Sequence, residues 1–90
     1  MPTLQELKDY LGIDGGHNDS LLLSQLGAAR EIIEGILRYQ IAMLNPLPHL
    51  VKEALKFAVA FLYANREQAD MGLLERMLQS MLQSLRKEAF

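Results

Sequence analysis

Few residues of this chain are of a type that could do chemistry, and the most suggestive ones share a glycine-rich stretch. His17 lies between Asp14 and Asp19. An imidazole and two carboxylates are possible zinc ligands, but zinc needs a fixed ligand geometry that a short loop does not supply. We therefore expect a solvated polar turn here and no metal site.

The other candidates for catalysis are weaker. The chain contains no cysteine, so thiol chemistry and disulfides are excluded. Gly15 and Gly16 follow no predicted strand and lack the lysine that a phosphate-binding loop requires. Glu31 and Glu34 form a pair of acids, but they are expected on the solvent face of a helix. No nucleophile, base and orienting group can be combined, so the sequence predicts no enzyme, no cofactor and no small-molecule substrate.

Size and composition favour a small domain that associates with other proteins. Ninety residues make one domain, residues 1–90, and half of them are hydrophobic. This exceeds what a solitary bundle of that size needs, and a surplus of exposed apolar surface usually marks a contact site. The alternative is an ordinary core with a few exposed leucines.

Charge and hydropathy argue against nucleic-acid and membrane partners. The net charge is −2 and the basic residues are scattered, so phosphate attraction is weak. Glutamates accompany Arg30 and Arg38 on the predicted second helix, which makes a DNA-reading helix improbable. The first ten residues carry no apolar signal segment, and the longest apolar run is too short to span a bilayer. We expect a soluble protein.

The elements that position these residues are four helices, predicted at 3–11, 20–39, 48–66 and 71–87. The third is apolar nearly all round, with only Lys52, Glu53 and Lys56 charged before Arg66, and such a helix is usually buried. The sequence therefore predicts an all-α, four-helix bundle-like domain built around the third helix.

Capping signals and apolar stripes support the other three helices. Thr3 and Glu6 form a capping box before the first helix, which should end at Gly12, with Ile13 turning back into the core. Asn18, Asp19 or Ser20 should cap the second helix, and Asp70 the fourth. Apolar residues recur at helical spacing in the second helix (Leu22, Leu26, Ala29, Ile33, Ile36) and in the fourth (Leu74, Met77 or Leu78, Met81, Leu85). Arg86 and Lys87 should favour the C-terminal end of the fourth helix.

Three further features carry expectations about packing. The second helix carries small residues at Gly27, Ala28, Ala29 and Gly35, which should permit close approach of a neighbouring helix, because each interior glycine costs about 1 kcal/mol against alanine and a packing reason is therefore expected. Residues 40–47 should form a short apolar connection that covers one end of the bundle or is held toward a neighbour. The methionines of the fourth helix are either adaptable core residues or a contact surface. Glu34 and Arg38 have the spacing of an ion pair.

Several motifs together resemble a known family. They are Leu4-x-x-Leu7-Lys8-x-x-Leu11-x-Ile13, an acidic turn with Asp19, Leu21-Leu22-x-x-x-Leu26-x-Ala28-Ala29, Ile32-Ile33-Glu34, a proline-started helix with Ala54, and Tyr63-x-Asn65-Arg66-Glu67. The pattern is similar to the head–tail connector (adaptor or head-completion) proteins of tailed bacteriophages and prophages. It covers nearly the whole chain.

The resemblance implies a structural role in the virion, with assembly in the bacterial cytoplasm. Such proteins form a homo-oligomeric ring beneath the portal protein, present a surface to a tail-side connector or tail-completion protein, and let double-stranded DNA pass without gripping it. Contacts in a ring join two different patches of one subunit. The alternative, from another class, is a generic helical protein-interaction or regulatory module that forms a small homo-oligomer. A small DNA-binding factor is a third, more distant reading.

The resemblance also suggests which residues contact partners. We expect Tyr63 to be packed with its hydroxyl near the surface, Asn65 to cap its helix, and Arg66 to pair with Glu67, Asp70 or an acid of a neighbouring subunit. The alternative is a local network at the helix end with no role in partner contacts. The candidate subunit or partner interface comprises Arg30, Glu34, Arg38, Tyr63, Asn65, Arg66 and Glu67.

Overall fold

The structure, a computed structural model, describes residues 1–44 and 46–83. It contains α1 (Leu4–Leu11), α2 (Asp19–Leu37), α3 (His49–Ala64) and α4 (Met71–Leu82), with a 3-10 helix at Ile41–Met43 between α2 and α3. Helices are the sole regular elements of the described residues, which confirms the all-α prediction. The predicted end of the fourth helix, with Leu85, Arg86 and Lys87, lies outside the described residues.

The local signals at three helix ends act as predicted. Thr3 and Glu6 form both bonds of the capping box, because each side chain accepts the other residue's backbone N–H. Gly12 ends α1 in the left-handed conformation at φ 70°, and the Ile13 N–H then bonds the Lys8 carbonyl. The Asp70 carboxylate accepts the Leu73 N–H at the start of α4. These bonds satisfy backbone groups that a helix end would otherwise leave unpaired.

The second helix ends earlier than predicted. It stops at Leu37, and Arg38 follows in the left-handed region at φ 68°, where its N–H bonds the Glu34 carbonyl. This position usually holds glycine or asparagine, so the sequence contained no signal for an end here.

The third helix has the central position that its composition predicts, and it shares that position with α2. Each of the two contacts all three other helices. No residue from 50 to 63 is exposed. The buried side chains of α3 lie at Val51, Ala54, Leu55, Ala58 and Val59, whereas Phe61 and Leu62 are half-buried.

Within residues 1–44 and 46–83 the buried side chains are all apolar, and all four helices contribute to them. Leu7 anchors α1, and the predicted stripe of α2 is buried in full. On α4 the buried residues are Leu74, Leu78 and Leu82. The methionines do not fill the core: Met71 is exposed, and Met77 and Met81 are half-buried. The leucines at i, i+4 and i+8 take the inward face, which leaves the methionines at its edges.

The two interior glycines of α2 do not admit a neighbouring helix of the same chain, so the packing prediction was wrong for them, whereas Ala29 is buried in the core. Both are exposed, and a Cβ built on Gly27 or Gly35 would meet no atom within 4 Å. They lie on the outer face of α2, where open space surrounds them.

The connection between α2 and α3 covers one end of the core, which is the first of the two predicted alternatives. Ile41 is buried, so the connection covers the end of the core, whereas Met43 is 75% exposed. The Glu34 carboxylate accepts the Ile41 N–H at 2.8 Å. This bond attaches the connection to α2. The Met43 side chain, two residues later, remains in solvent.

Candidate interaction surfaces

The charges around α1 are matched within the chain. Lys52 of α3 lies 2.5 Å from the Glu6 carboxylate, and Lys8 lies 2.7 Å from Asp19 at the start of α2. The hydrogen bond from Lys52, helped by the Thr3 N–H, lowers the pKa of Glu6 to about 2. These ion pairs attach α1 to its two neighbours beside the buried Leu7.

A second group of paired charges lies along the first turns of α3. Lys56 lies 2.7 Å from Glu53 and 5.5 Å from the centre of the Tyr10 ring. Hydrogen bonding between the two charged groups lowers the pKa of Glu53 and raises the pKa of Lys56. His49 is 4.0 Å from the same carboxylate. The charges on this side of the molecule therefore satisfy one another.

Glu34 has different partners from the one predicted. Its carboxylate lies 3.8 Å from Arg30, one turn earlier in α2, and also accepts the Ile41 N–H. Arg38 is not its ion-pair partner, because the backbone leaves the helix at Arg38 and the i, i+4 geometry is lost. Glu34 thus positions the connection to α3, and Arg38 remains exposed.

Arg38 lines an open groove between the second half of α2 and α4. The groove has a volume of about 350 Å³, and its walls are formed by Glu31, Ile32, Gly35, Ile36, Arg38, Glu75 and Gln79. Among the described residues, no ion pair satisfies Glu31, Arg38 or Glu75. We call this feature the α2–α4 groove.

Tyr63 joins the end of α3 to the start of α2. Its hydroxyl accepts a hydrogen bond of 2.9 Å from the Asn18 side chain, and Tyr63 is half-buried, in agreement with the prediction that it is packed. The Asn18 side chain makes no capping bond to α2. It acts instead as the anchor of Tyr63.

Arg66 packs on Tyr63 and not on an acid. Its guanidinium lies 4.3 Å from the centre of the Tyr63 ring, within the range of a cation–π contact. The predicted ion pairs with Glu67 and Asp70 are not formed; Asp70 caps α4, and Glu67 is exposed. The predicted cap at Asn65 is confirmed, since its side-chain amide donates to the Phe61 carbonyl at 2.9 Å.

The predicted interface residues therefore form two separate groups. Arg30, Glu34 and Arg38 lie on the second half of α2, whereas Tyr63, Asn65, Arg66 and Glu67 lie where α3 ends, near the start of α2. At 19 residues and 1.5 Å per residue, α2 is about 28 Å long. Asn18, Glu75 and Gln79 were not among the predicted interface residues, because only the folded chain brings them beside residues distant in sequence.

Among residues 1–44 and 46–83, no group of three or more histidines and acids is close enough together to hold a metal ion. No helix in those ranges is long and apolar enough to cross a membrane.

Comparison with known proteins gives one match. The model of a protein family described as "Phage gp6-like head-tail connector protein" matches residues 1–88. No curated protein matches the chain significantly, and neither does any solved structure.

Proposed function

This chain belongs to the phage gp6-like head–tail connector family, and on that premise we propose that it forms a ring that joins the portal of a DNA-filled head to the tail. The family match over residues 1–88 carries this proposal. The role is structural, without catalysis or a cofactor. Assembly takes place in the bacterial cytoplasm, and the finished protein is part of the virion at the head–tail junction.

The surface of the molecule is compatible with several protein partners. Met43, Leu23 and Met71 are each exposed by 45% or more, and the α2–α4 groove is lined by unpaired charges. Repeated contacts between copies would cover part of this surface. The portal protein and a tail-side connector or tail-completion protein would cover further parts.

The net charge of the chain and the pairing of its lysines suit a channel through which DNA passes without being bound. Double-stranded DNA attracts clustered lysines and arginines. Here the net charge is −2, and Lys8, Lys52 and Lys56 each have a carboxylate within 2.7 Å. Among the described residues, Arg38, Arg66 and Arg76 have no ion pair, so the cations that each subunit could present to the genome are scattered along the chain and only partly neutralised.

We propose that the two groups of candidate residues serve different purposes in assembly. Arg30, Arg38, Arg66 and Glu67 are exposed and are the proposed contacts with partners. Glu34, Tyr63 and Asn65 are half-buried or bonded to the backbone, and they hold those contact residues in position.

The test is removal of the gene from the phage or prophage that encodes the chain. Electron microscopy of the lysate should show heads and tails that are not joined. Wild-type protein supplied from a plasmid should restore tailed, infectious particles. A variant that removes an already paired charge, Glu53→Gln, should restore them equally well. Tailed, infectious particles in the absence of the chain would contradict the proposal.

A further inference from the structure

Among the described residues, some charged side chains form ion pairs within the chain and others, including those at two places on the surface, do not. Around α1 and the start of α3, six charges form ion pairs with one another: Glu6, Lys8, Asp19, Lys52, Glu53 and Lys56. Within the described ranges, Glu31, Arg38 and Glu75 of the α2–α4 groove have no such partner. The same is true of Arg66 and Glu67, which follow α3.

Arg66 is held ready to bind a carboxylate. Stacking on the Tyr63 ring restricts its guanidinium, and the Asn18 bond to the Tyr63 hydroxyl fixes the ring in turn. A stacked guanidinium still has its N–H donors free at the edge, where they match the two oxygens of a carboxylate. The Arg66 side chain therefore loses less conformational entropy when a partner binds.

The α2–α4 groove has the complementary charges. Glu31 and Glu75 stand on different helices that border it, and Arg38 lies on the same lining. Gly35 leaves room between them, since no atom lies within 4 Å of where its Cβ would be. Two acids and a cation in the groove complement the adjacent cation and acid of Arg66 and Glu67.

We propose that residues 65–68 of one copy dock in the α2–α4 groove of the next copy, with Arg66 between Glu31 and Glu75 and Glu67 facing Arg38. The proposal rests on the proposed ring and names the contact that builds it. The two surfaces are different patches of the same chain, so the contact is heterologous and joins copies head to tail. Such a contact closes into a ring when the rotation between copies permits.

Because the chain has no cysteine, disulfide crosslinking tests the contact directly. Gln68→Cys marks one surface and Gln79→Cys the other, and neither change alters a charge. Upon mild oxidation, the double variant should give a ladder of covalent oligomers on a denaturing gel. Each single variant should give no ladder, because a head-to-tail contact places residue 68 against residue 79. The control double variant, Gln5→Cys with Gln79→Cys, should give no ladder either.

A charge exchange tests the ion pairs themselves. Arg66→Glu should weaken self-association of the purified full chain at least tenfold in analytical ultracentrifugation. Combining Arg66→Glu with Glu75→Arg should restore most of the loss. Arg76→Glu makes the same replacement of a cation by an anion, but on α4 outside the groove. It should leave association unchanged.

Three results would overturn the contact: a double-cysteine variant that gives no ladder, an Arg66→Glu variant that associates like the wild type, or a charge exchange that restores nothing. A ring that forms without this contact would leave the proposed function intact. Tailed particles in the absence of the gene would contradict the function whatever the crosslinks show.

Discussion

At the scale of single residues, the end of α3 shows how a surface arginine becomes ordered. Asn18 donates to the Tyr63 hydroxyl, and Arg66 stacks on the Tyr63 ring. An exposed cation–π contact contributes about 0.5–1 kcal/mol, and a hydrogen bond about 0.5–1.5 kcal/mol. Neither is large, but together they restrict a side chain that would otherwise sample many rotamers.

Tyr63→Phe should lower the free energy of unfolding by about 0.5–1.5 kcal/mol, because the half-buried Asn18 amide loses its acceptor. Urea denaturation monitored by circular dichroism measures the change. Asn18→Ala should cost a similar amount, and the double variant should cost less than the sum of the two. Strict additivity would show that the two side chains do not interact.

Glu6 should make the stability of the domain depend on acid pH. Because the pKa of Glu6 is lowered from 4.5 to about 2 in the folded chain, its stabilisation is complete above the unfolded value and is lost as pH falls through the folded one. Glu6→Gln should therefore flatten the fall of the melting temperature between about pH 5 and pH 2. Glu31→Gln, which removes a carboxylate without an ion pair to a described residue, is the control. Equal slopes for Glu6→Gln and wild type would contradict the prediction.

At the scale of the element, α2 combines an inner face that packs fully in the core with an outer face whose residues lower the stability of the helix. Its inner stripe is fully buried, whereas its outer face carries Gly27 and Gly35 in open space. Arg38 ends the helix in a conformation that disfavours a side chain. None of these three residues improves the packing of the isolated subunit. Gly35 and Arg38 line the groove proposed as the contact between copies, whereas Gly27 lies outside that lining.

Gly27→Ala should raise the free energy of unfolding by about 0.5–1 kcal/mol, because alanine is the better helix former and the new methyl group meets no atom of the chain. Chemical denaturation of the monomer measures the gain. Ala29→Gly, at a buried position of the same helix, should have the opposite sign. A loss of stability in Gly27→Ala would indicate that the position is crowded.

Arg38→Gly should raise the free energy of unfolding by about 0.5–1 kcal/mol, because glycine adopts the left-handed conformation without strain. Arg30→Gly, inside the same helix, should instead cost about 1 kcal/mol. Thermal denaturation compares the two. The proposed role of Arg38 predicts in addition that the more stable variant associates less well.

At the scale of the whole molecule, the fold is a thin slab. Its Cα atoms span 46 × 29 × 16 Å, and packed helices lie 8–10 Å apart. A slab this thin gives every helix a face toward solvent, which explains why the outer residues of α3 are half-buried. Separate areas of the surface are therefore available for the several partners that the proposed function requires.

The proposed contact between copies is carried by exposed charges, so it should respond to salt. Raising the ionic strength from about 0.01 M to 1 M shortens the screening length from about 30 Å to 3 Å, and self-association should weaken accordingly. Analytical ultracentrifugation over a salt series measures this effect. Association that strengthens or stays constant with salt would point to an apolar contact instead, at Met43 or Leu23.

The sequence by itself determined the helices, the ends at Thr3, Gly12 and Asp70, and most of the core. These features depend on neighbours within a few residues, through apolar periodicity and capping bonds. The motifs that resemble the connector family were also present in the sequence alone, and the family match agrees with that resemblance.

Only the tertiary structure decided which polar groups meet. Asn18 and Tyr63 are 45 residues apart in sequence, and Glu75 reaches the groove because α4 packs on α2. Glu34 had two possible partners one turn away, and the early end of α2 selected Arg30. Pairing across the fold depends on how helices pack, and a periodic pattern on one helix contains no information about the face of another.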